Sequence, residues 1–215
     1  MSDIRGYVAQ DTLGAADEGT RVGLKASKRG ELIVIDWYTQ MATEGRAYQV
    51  RAGTITTPLV GDVVITDSAA EMCADATSGT TIVPVYVNIA IRLGTGTLHE
   101  YAAKSTGSVS TAGTAFVPLP LYMGGSASVS TARVAAAGGV TVGAEAATTT
   151  RRHWAVSNPV AVAAGHVLTT HVWNPVDPPV LPGAACFYVQ IAATTTGPSY
   201  YAALDFIELT AASVS

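Results

Sequence analysis

Residues 81–93, TIVPVYVNIAIRL, alternate between two kinds of side chain more regularly than any other part of the chain. One set consists of large aliphatic residues: Val83, Val85, Val87, Ile89, Ile91 and Leu93. The intervening set is mixed: Pro84, Tyr86, Asn88, Ala90 and Arg92. Because successive side chains of a strand point to opposite faces, this period of two predicts a long, half-buried antiparallel strand. Pro84 has no amide hydrogen, so we expect its part of the strand at a sheet edge or a bulge.

Further segments have the composition of strands and are separated by turns rich in Gly and Pro. They are residues 31–38, 46–53, 97–103, 139–146, 152–156, 166–173, 186–194 and 200–209. In 46–53 the alternation places Tyr48 and Val50 on one face and Gln49 and Arg51 on the other.

Only residues 68–76, SAAEMCADA, favour a helix, because Ser68 and Glu71 stand at capping-box spacing. Many strands with one short helix predict an all-β protein, an antiparallel β-sandwich. About eight core strands with long connections between some of them favour a jelly-roll-like sandwich over a seven-stranded immunoglobulin-like one.

We expect residues 1–30 to form an extended N-terminal arm. Residues 31–215 would then form a single sandwich domain with a long, low-charge connection at 104–150.

Charged residues are scarce, and their scarcity restricts the possible functions. They make up 13% of the 215 residues, against about 25% in average globular proteins. The net charge is −4 and no basic stripe is present, so we expect no direct contact with nucleic acid. We also expect no membrane span, because no run of about 20 apolar residues occurs. The N-terminus lacks an apolar stretch, so we expect no secretory signal.

The longest low-charge stretch is residues 106–139, in which Arg133 is the only charged residue. The pentapeptide SVSTA occurs in it twice, at 108–112 and 128–132, and we interpret this repeat as low complexity. Pro118 and Pro120 hold the middle of the stretch extended and remove hydrogen-bond donors, which excludes a central strand.

Four large apolar side chains beside these prolines must pack on the chain's own sandwich or on another chain. They are Val117, Leu119, Leu121 and Tyr122, and with Ile4 and Tyr7 of the arm they are our candidate partner-contact residues. The small Ala, Ser, Thr and Gly residues around them lose little rotamer freedom when buried. An uncharged surface of this kind is typical of the core of a subunit contact.

No pattern of catalytic, cofactor-binding or metal-binding residues stands out, so we expect no enzyme activity, no cofactor and no metal. His166 and His171 are five apart in a strand-like run and therefore point to opposite faces. Cys73 and Cys186 lack zinc-type spacing, and we expect two free, buried thiols.

Three weaker patterns leave alternatives open. One is an acidic series that could bind calcium: Asp62, Asp67, Glu71 and Asp75. Asp36 and Glu44 could pair as glycosidase carboxylates. Several aromatic residues could include a sugar-stacking platform: Trp37, Tyr38, Trp154, Trp173, Tyr200 and Tyr201.

The arm at 1–30, the alternating strand 81–93, the Ala/Thr/Ser/Gly-rich connection 106–150 and the final hairpin 184–209 together resemble bacteriophage virion proteins with a jelly-roll domain. These are minor capsid proteins and decoration or cement proteins. The resemblance implies a homo-oligomer, with a trimer favoured, that contacts the major capsid protein in the virion after synthesis in the host cytoplasm. The alternative is a glycan- or receptor-binding module on the head or tail of a particle.

Overall fold

A computed structural model describes residues 6–7, 21–22, 36–66, 68–93, 98–136, 139–146, 148–159 and 170–210. Within these residues the structure has one helix, α1 (Trp37–Thr43), and eighteen strands. The strands of the first half of the chain are β1 (Gly6–Tyr7), β2 (Arg21–Val22), β3 (Ala47–Ala52), β4 (Leu59–Val60), β5 (Ala69–Ala70), β6 (Met72–Ala76), β7 (Thr80–Leu93) and β8 (Leu98–Thr106). Those of the second half are β9 (Thr111–Ala112), β10 (Thr114–Phe116), β11 (Leu119–Pro120), β12 (Thr131–Val134), β13 (Val140–Thr141), β14 (Thr150–Pro159), β15 (Thr170–Trp173), β16 (Leu181–Pro182), β17 (Ala185–Ala193) and β18 (Ser199–Thr210).

The long strands form two sheets that pack face to face. The first has the order β11-β3-β18-β7-β15, and the second has the order β10-β12-β6-β17-β8-β14. All these pairings are antiparallel. The long strands alternate between the two sheets along the chain, except that β8 and β14 both belong to the second sheet, in the manner of a jelly roll. The structure therefore confirms the predicted all-β antiparallel sandwich. No helix among the described residues is long and apolar enough to cross a membrane.

The main core lies between the two sheets and contains the inward-facing residues of both. Its members include Met72, Val87, Ile89, Phe187, Val189, Leu204 and Phe206, all fully buried. Each large side chain buried in this way stabilises the fold by about 1.5–3 kcal/mol relative to an exposed one.

Strand β7 confirms the alternating pattern of residues 81–93, with one correction. Asp205 of β18 pairs with Tyr86 while Phe206 pairs with Pro84, so Val85 is the extra residue of a β-bulge. Past the bulge Val87, Ile89 and Ile91 face the main core. Before it Ile82 faces this core and Val83 packs on the outer side, against the helix. The expectation that Val83 and Val85 share a face with Val87 is therefore wrong, whereas the bulge expected near Pro84 is confirmed.

The helix predicted at 68–76 is wrong, because these residues form β5 and β6. Strand β6 lies between β12 and β17 and is buried on both faces. The helix is instead α1, where Asp36 accepts a hydrogen bond from the Thr39 N–H at 2.9 Å and Gly45, with φ +73°, follows the last turn. The strand predicted at 31–38 is thus wrong from Asp36 onward, and residues 31–35 lie outside the described residues.

The remaining strand predictions agree with the structure to different extents. Those at 46–53, 97–103, 152–156, 186–194 and 200–209 are confirmed as β3, β8, β14, β17 and β18. Tyr48 and Val50 are buried and Arg51 is exposed, as the alternation in β3 predicts. Within 139–146 only Val140–Thr141 forms a strand. The described part of 166–173 forms β15. The described part of the predicted arm is the antiparallel pair of β1 and β2.

The low-charge connection is inserted between β8 and β14 and adds to one edge of both sheets. Strands β12 and β10 extend the second sheet beyond β6, and β11 extends the first sheet beyond β3. Strands β5, β13 and β9 form a separate three-stranded sheet. Because Pro120 lies in an edge strand, the prediction that this stretch cannot be a central strand is confirmed.

Candidate functional site

We define the neutral segment as residues 107–136, whose only charged residue is Arg133. The first SVSTA copy attaches this segment to a core strand through Asp75 of β6. The Ser110 N–H donates to Asp75 Oδ1 at 2.8 Å, and the Ser110 hydroxyl donates to Asp75 Oδ2 at 2.6 Å. Both residues are buried, so these hydrogen bonds lie out of water, where they are strong.

The second SVSTA copy is attached in the same way, to Glu208 of β18. Glu208 Oε2 accepts hydrogen bonds from the Ser130 N–H at 2.6 Å and the Ser128 hydroxyl at 2.7 Å, and Oε1 accepts one from the Val129 N–H at 3.1 Å. Burial raises the pKa of Glu208, but the bonds from Ser130 and Ser128 outweigh it and hold the pKa below its usual value. In both copies the third residue of the motif therefore donates a hydrogen bond to a carboxylate of a core strand. Our interpretation of the repeat as low complexity missed this role.

A second, smaller core lies on the outer face of the second sheet, where it packs β5 and β13 against β6 and β17. Its buried members are Ala70, Cys73, Val140, Val142, Cys186 and Tyr188. Cys73 and Cys186 are free thiols, as predicted.

The neutral segment exposes several large apolar side chains. Val117 is 70% exposed, Met123 91% and Val129 65%, and Leu119 and Tyr122 are also exposed. The structure therefore places three of our candidate contact residues, Val117, Leu119 and Tyr122, at the surface of one segment. Met123 and Val129 were missed, although they lie in the same uncharged stretch.

The other three candidate contact residues are placed differently. Leu121 is half-buried, packs against the cluster of Met41 and Val83, and donates its N–H to the Ala47 carbonyl at 2.9 Å. Tyr7 lies in β1, and Ile4 lies outside the described residues. Leu121 therefore contacts its own chain.

Arg133, the one charged residue of the segment, is bound to the segment's own backbone. Its guanidinium donates to the Ala112 carbonyl at 3.2 Å and so links the two SVSTA regions. Apart from Arg133, the exposed part of the neutral segment, including Val117 and Met123, is uncharged.

A groove of about 490 Å³ lies on the outer face of the first sheet, next to the start of α1. Its lining includes Trp37, Tyr38, Tyr86, Asn174, Pro175 and Asp205. The Tyr38 hydroxyl donates to Asp205 at 3.1 Å, and the Gln49 amide donates to the other carboxylate oxygen at 2.8 Å. Burial raises the pKa of Asp205 despite these bonds, and burial and the nearby Asp205 carboxylate raise the pKa of Tyr38.

The other proposed sugar-stacking aromatics do not form part of this groove. Trp173 and Tyr200 are core residues, and Trp154 packs against the core. Tyr201 is half-buried on β18. Only Trp37 and Tyr38 of the predicted platform line the groove.

The described histidines pack in aromatic clusters. His99 bonds the Tyr101 hydroxyl at 3.0 Å, and His153 bonds the Ser105 hydroxyl at 2.8 Å. The ring centroids of Tyr101 and His171 are 4.3 Å apart. Burial lowers the pKa of all three histidines. His166 lies outside the described residues.

Among the described residues, no three carboxylates of the two alternative groupings lie close enough together to share an ion. Asp36 caps α1 at its N-terminus, and Glu44 follows its last residue. In the acidic series, Glu71 accepts hydrogen bonds from the Ile191 and Asp62 N–H groups, Asp75 binds Ser110, and Asp67 lies outside the described residues. Within the described ranges, the one group of three His, Cys, Asp or Glu side chains close enough to share an ion is Cys73, Asp75 and Cys186.

Comparisons with protein-family models, curated proteins and solved structures found no significant match.

Proposed function

We propose that the protein is a structural subunit of a virus particle, a capsid decoration, cement or minor capsid protein, rather than an enzyme. Its neutral segment would pack against neighbouring copies of the chain and against the major capsid protein. The observation that carries this proposal is the exposed apolar surface of a segment attached to the sandwich by Asp75 and Glu208.

Two physical features make this surface suited to a subunit contact. Its side chains are apolar or small, so burying them removes few ions from water and costs little rotamer entropy. Its backbone is held by two carboxylates and by strand pairing at β10, β11 and β12. A segment held in this way loses less conformational freedom on association than a free loop does.

The resemblance to phage virion proteins supplies the finer parts of the proposal. These are a homotrimer, contact with the major capsid protein and location in the virion. The jelly-roll topology supports the proposal but does not by itself define a function.

Sedimentation of the isolated chain tests self-association. We expect an oligomer, of trimer mass, that Val117→Asp dissociates without changing the far-UV circular dichroism. The matched control is Val176→Asp, because Val176 is 96% exposed but lies outside the neutral segment. A wild-type monomer at tens of micromolar, or equal dissociation of both variants, would contradict the proposed contact.

The groove beside α1 favours a second candidate function, recognition of a glycan. Trp37, Tyr38 and Tyr86 offer aromatic faces, and Asn174 and Asp205 offer hydrogen-bonding groups, the combination expected of a small-ligand site. A glycan array followed by titration tests it. Trp37→Ala should abolish binding, while Tyr122→Ala, which removes an exposed aromatic from the neutral segment, should leave it unchanged. Binding that survives Trp37→Ala would exclude the groove.

A further inference from the structure

Two thiols and a carboxylate converge in the small core beside the first SVSTA copy. The Sγ atoms of Cys73 and Cys186 and a carboxylate oxygen of Asp75 all lie within 4.8 Å of one another. Cys73 and Cys186 are completely buried, and Asp75 is 1% exposed. The Ser110 hydroxyl oxygen is a fourth atom able to bind a metal, and it lies 3.0 Å from Cys73 Sγ and 2.6 Å from Asp75 Oδ2.

Strand register brings these groups together. Cys73 and Asp75 are two residues apart on β6 and so point to the same face of the second sheet. Asp75 pairs with Cys186 of β17, which places that thiol directly across from the carboxylate. The separation of Cys186 from β6 in the sequence hides this arrangement from motif analysis.

We propose that Cys73, Asp75 and Cys186 bind one zinc ion, with the Ser110 hydroxyl or a water as the fourth ligand. Zinc prefers four ligands in a tetrahedron and accepts thiolate and carboxylate groups together. Zn–S bonds of about 2.3 Å require the two sulfurs to lie about 3.8 Å apart. The present separations of 4.8 Å or less need only small side-chain movements to reach that distance.

The surroundings of Asp75 support a cation at this position. Buried carboxylates are normally paired with a basic group or bind a metal. In the described part of the chain, none of the salt bridges involves Asp75, and the buried Lys104 pairs with Glu145 instead. Ser110 and the thiols supply only uncharged donors when no ion is bound.

A disulfide fits this geometry less well than an ion does. Cys186 pairs with Asp75 and Tyr188 pairs with Cys73, so the two cysteines are diagonal neighbours in the ladder. Diagonal neighbours are typically about 7–8 Å apart, beyond the Cα separation of about 4.4–6.8 Å that a disulfide requires.

Zinc at this position would attach the neutral segment to β6 through Ser110 and Asp75. Coordination releases the two thiol protons to solvent, so the affinity should fall as the pH is lowered. Because the site is enclosed, we expect it to load while the protein folds.

Metal analysis of the full chain, as purified and after refolding with Zn²⁺, tests the proposal. We expect one zinc per chain and, after refolding with Cd²⁺, an ultraviolet thiolate-to-metal absorption band. Cys73→Ser and Cys186→Ser should each lose the stoichiometric ion and weaken the band. Asp177→Asn, which removes an exposed carboxylate elsewhere, should retain both.

Thermal unfolding provides a readout that does not depend on the variants. Wild-type protein refolded with zinc should unfold at a higher temperature than protein refolded with a chelator. Folded wild-type protein that holds no zinc after either preparation would overturn the proposal, as would zinc that both cysteine variants retain in full.

Discussion

Ser110 donates both its backbone N–H and its hydroxyl to the buried carboxylate of Asp75. Ser130 stands at the same position of the second SVSTA copy and donates its N–H to Glu208. One carboxylate belongs to a strand of the second sheet and the other to a strand of the first. The two copies therefore attach the neutral segment to both sheets, which fixes the segment across one edge of the sandwich.

Glu208→Gln should destabilise the fold. The amide nitrogen of glutamine cannot accept a hydrogen bond, so some of the hydrogen bonds from Ser128, Val129 and Ser130 are lost. We expect the free energy of unfolding to fall by about 1–2 kcal/mol. Chemical denaturation at pH 7 measures this cost. The exposed Glu44→Gln is the control, with an expected change within about 0.5 kcal/mol. Equal effects would show that Glu208 does not anchor the segment.

The same carboxylate predicts a pH dependence at the acid end. The pKa of Glu208 is lowered in the folded state, so its stabilising contribution is present above its unfolded pKa of about 4.3 and is lost as the pH falls further. The cost of Glu208→Gln should therefore shrink between pH 5 and pH 3. A cost that stays constant over this range would contradict the assignment.

Glu145→Gln should destabilise more than Arg152→Gln. Glu145 accepts from the Lys104 ammonium at 2.5 Å and from Arg152 at 2.7 Å. The Lys104 side chain is only 4% exposed, so loss of its partner leaves a buried charge, at a cost of about 1–3 kcal/mol. Arg152 is 60% exposed, and its loss should cost less than about 1 kcal/mol. Thermal and urea unfolding of both variants measures which one loses more stability. A larger loss in Arg152→Gln than in Glu145→Gln would contradict the prediction.

Gly197→Ala should destabilise strongly, because backbone occupies the space that its side chain needs. A Cβ at Gly197 would lie 1.7 Å from the Gly61 carbonyl oxygen, so the two loops must move apart, at a cost of about 2–3 kcal/mol. Gly107→Ala is the matched control, because a Cβ there meets nothing within 4 Å. Similar unfolding midpoints for the two variants would show that the loops are not packed as described.

His171→Phe should make stability less sensitive to mild acid. Burial and the nearby His99 lower the pKa of His171, so the unfolded chain binds more protons once the pH falls below about 6.5. The free energy of unfolding should therefore fall more steeply between pH 7 and pH 5 in the wild type than in the variant, which has no imidazole at this position. Glu71, whose pKa burial raises, acts in the opposite sense, and His99 and His153, whose pKa burial lowers, act in the same sense. All three are present in both proteins, so the difference between the two profiles reports on His171. Parallel profiles would contradict the prediction.

Local pattern was sufficient to predict the sandwich and β7, because alternation records which residues a sheet buries. Alternation alone could not show that Val85 is the extra residue, because that depends on the register against β18; Pro84 indicated only an edge or a bulge nearby. The capping-box spacing of Ser68 and Glu71 also misled at 68–76, where burial on both faces of β6 decides for a strand. Glu71, expected as a helix cap, instead accepts a hydrogen bond from the Ile191 N–H.

The candidate sites were predicted less completely than the fold. The apolar residues beside Pro118 and Pro120 could be identified, because uncharged sequence with prolines is visible locally. Whether Leu121 faces solvent or its own chain depends on packing against α1, which the sequence does not reveal. The thiol and carboxylate cluster was invisible for the same reason, since strand pairing alone brings Cys186 to Asp75.

Hydrogen–deuterium exchange of the isolated chain at low and high protein concentration tests most directly whether the neutral segment is a subunit contact. We expect slower exchange at high concentration for amides around Val117, Met123 and Val129, with the core strand β17 unchanged. In Val117→Asp the exchange should not depend on concentration. The contradicting result is a wild-type chain that sediments as an oligomer only at the higher concentration but whose neutral segment exchanges at the same rate at both.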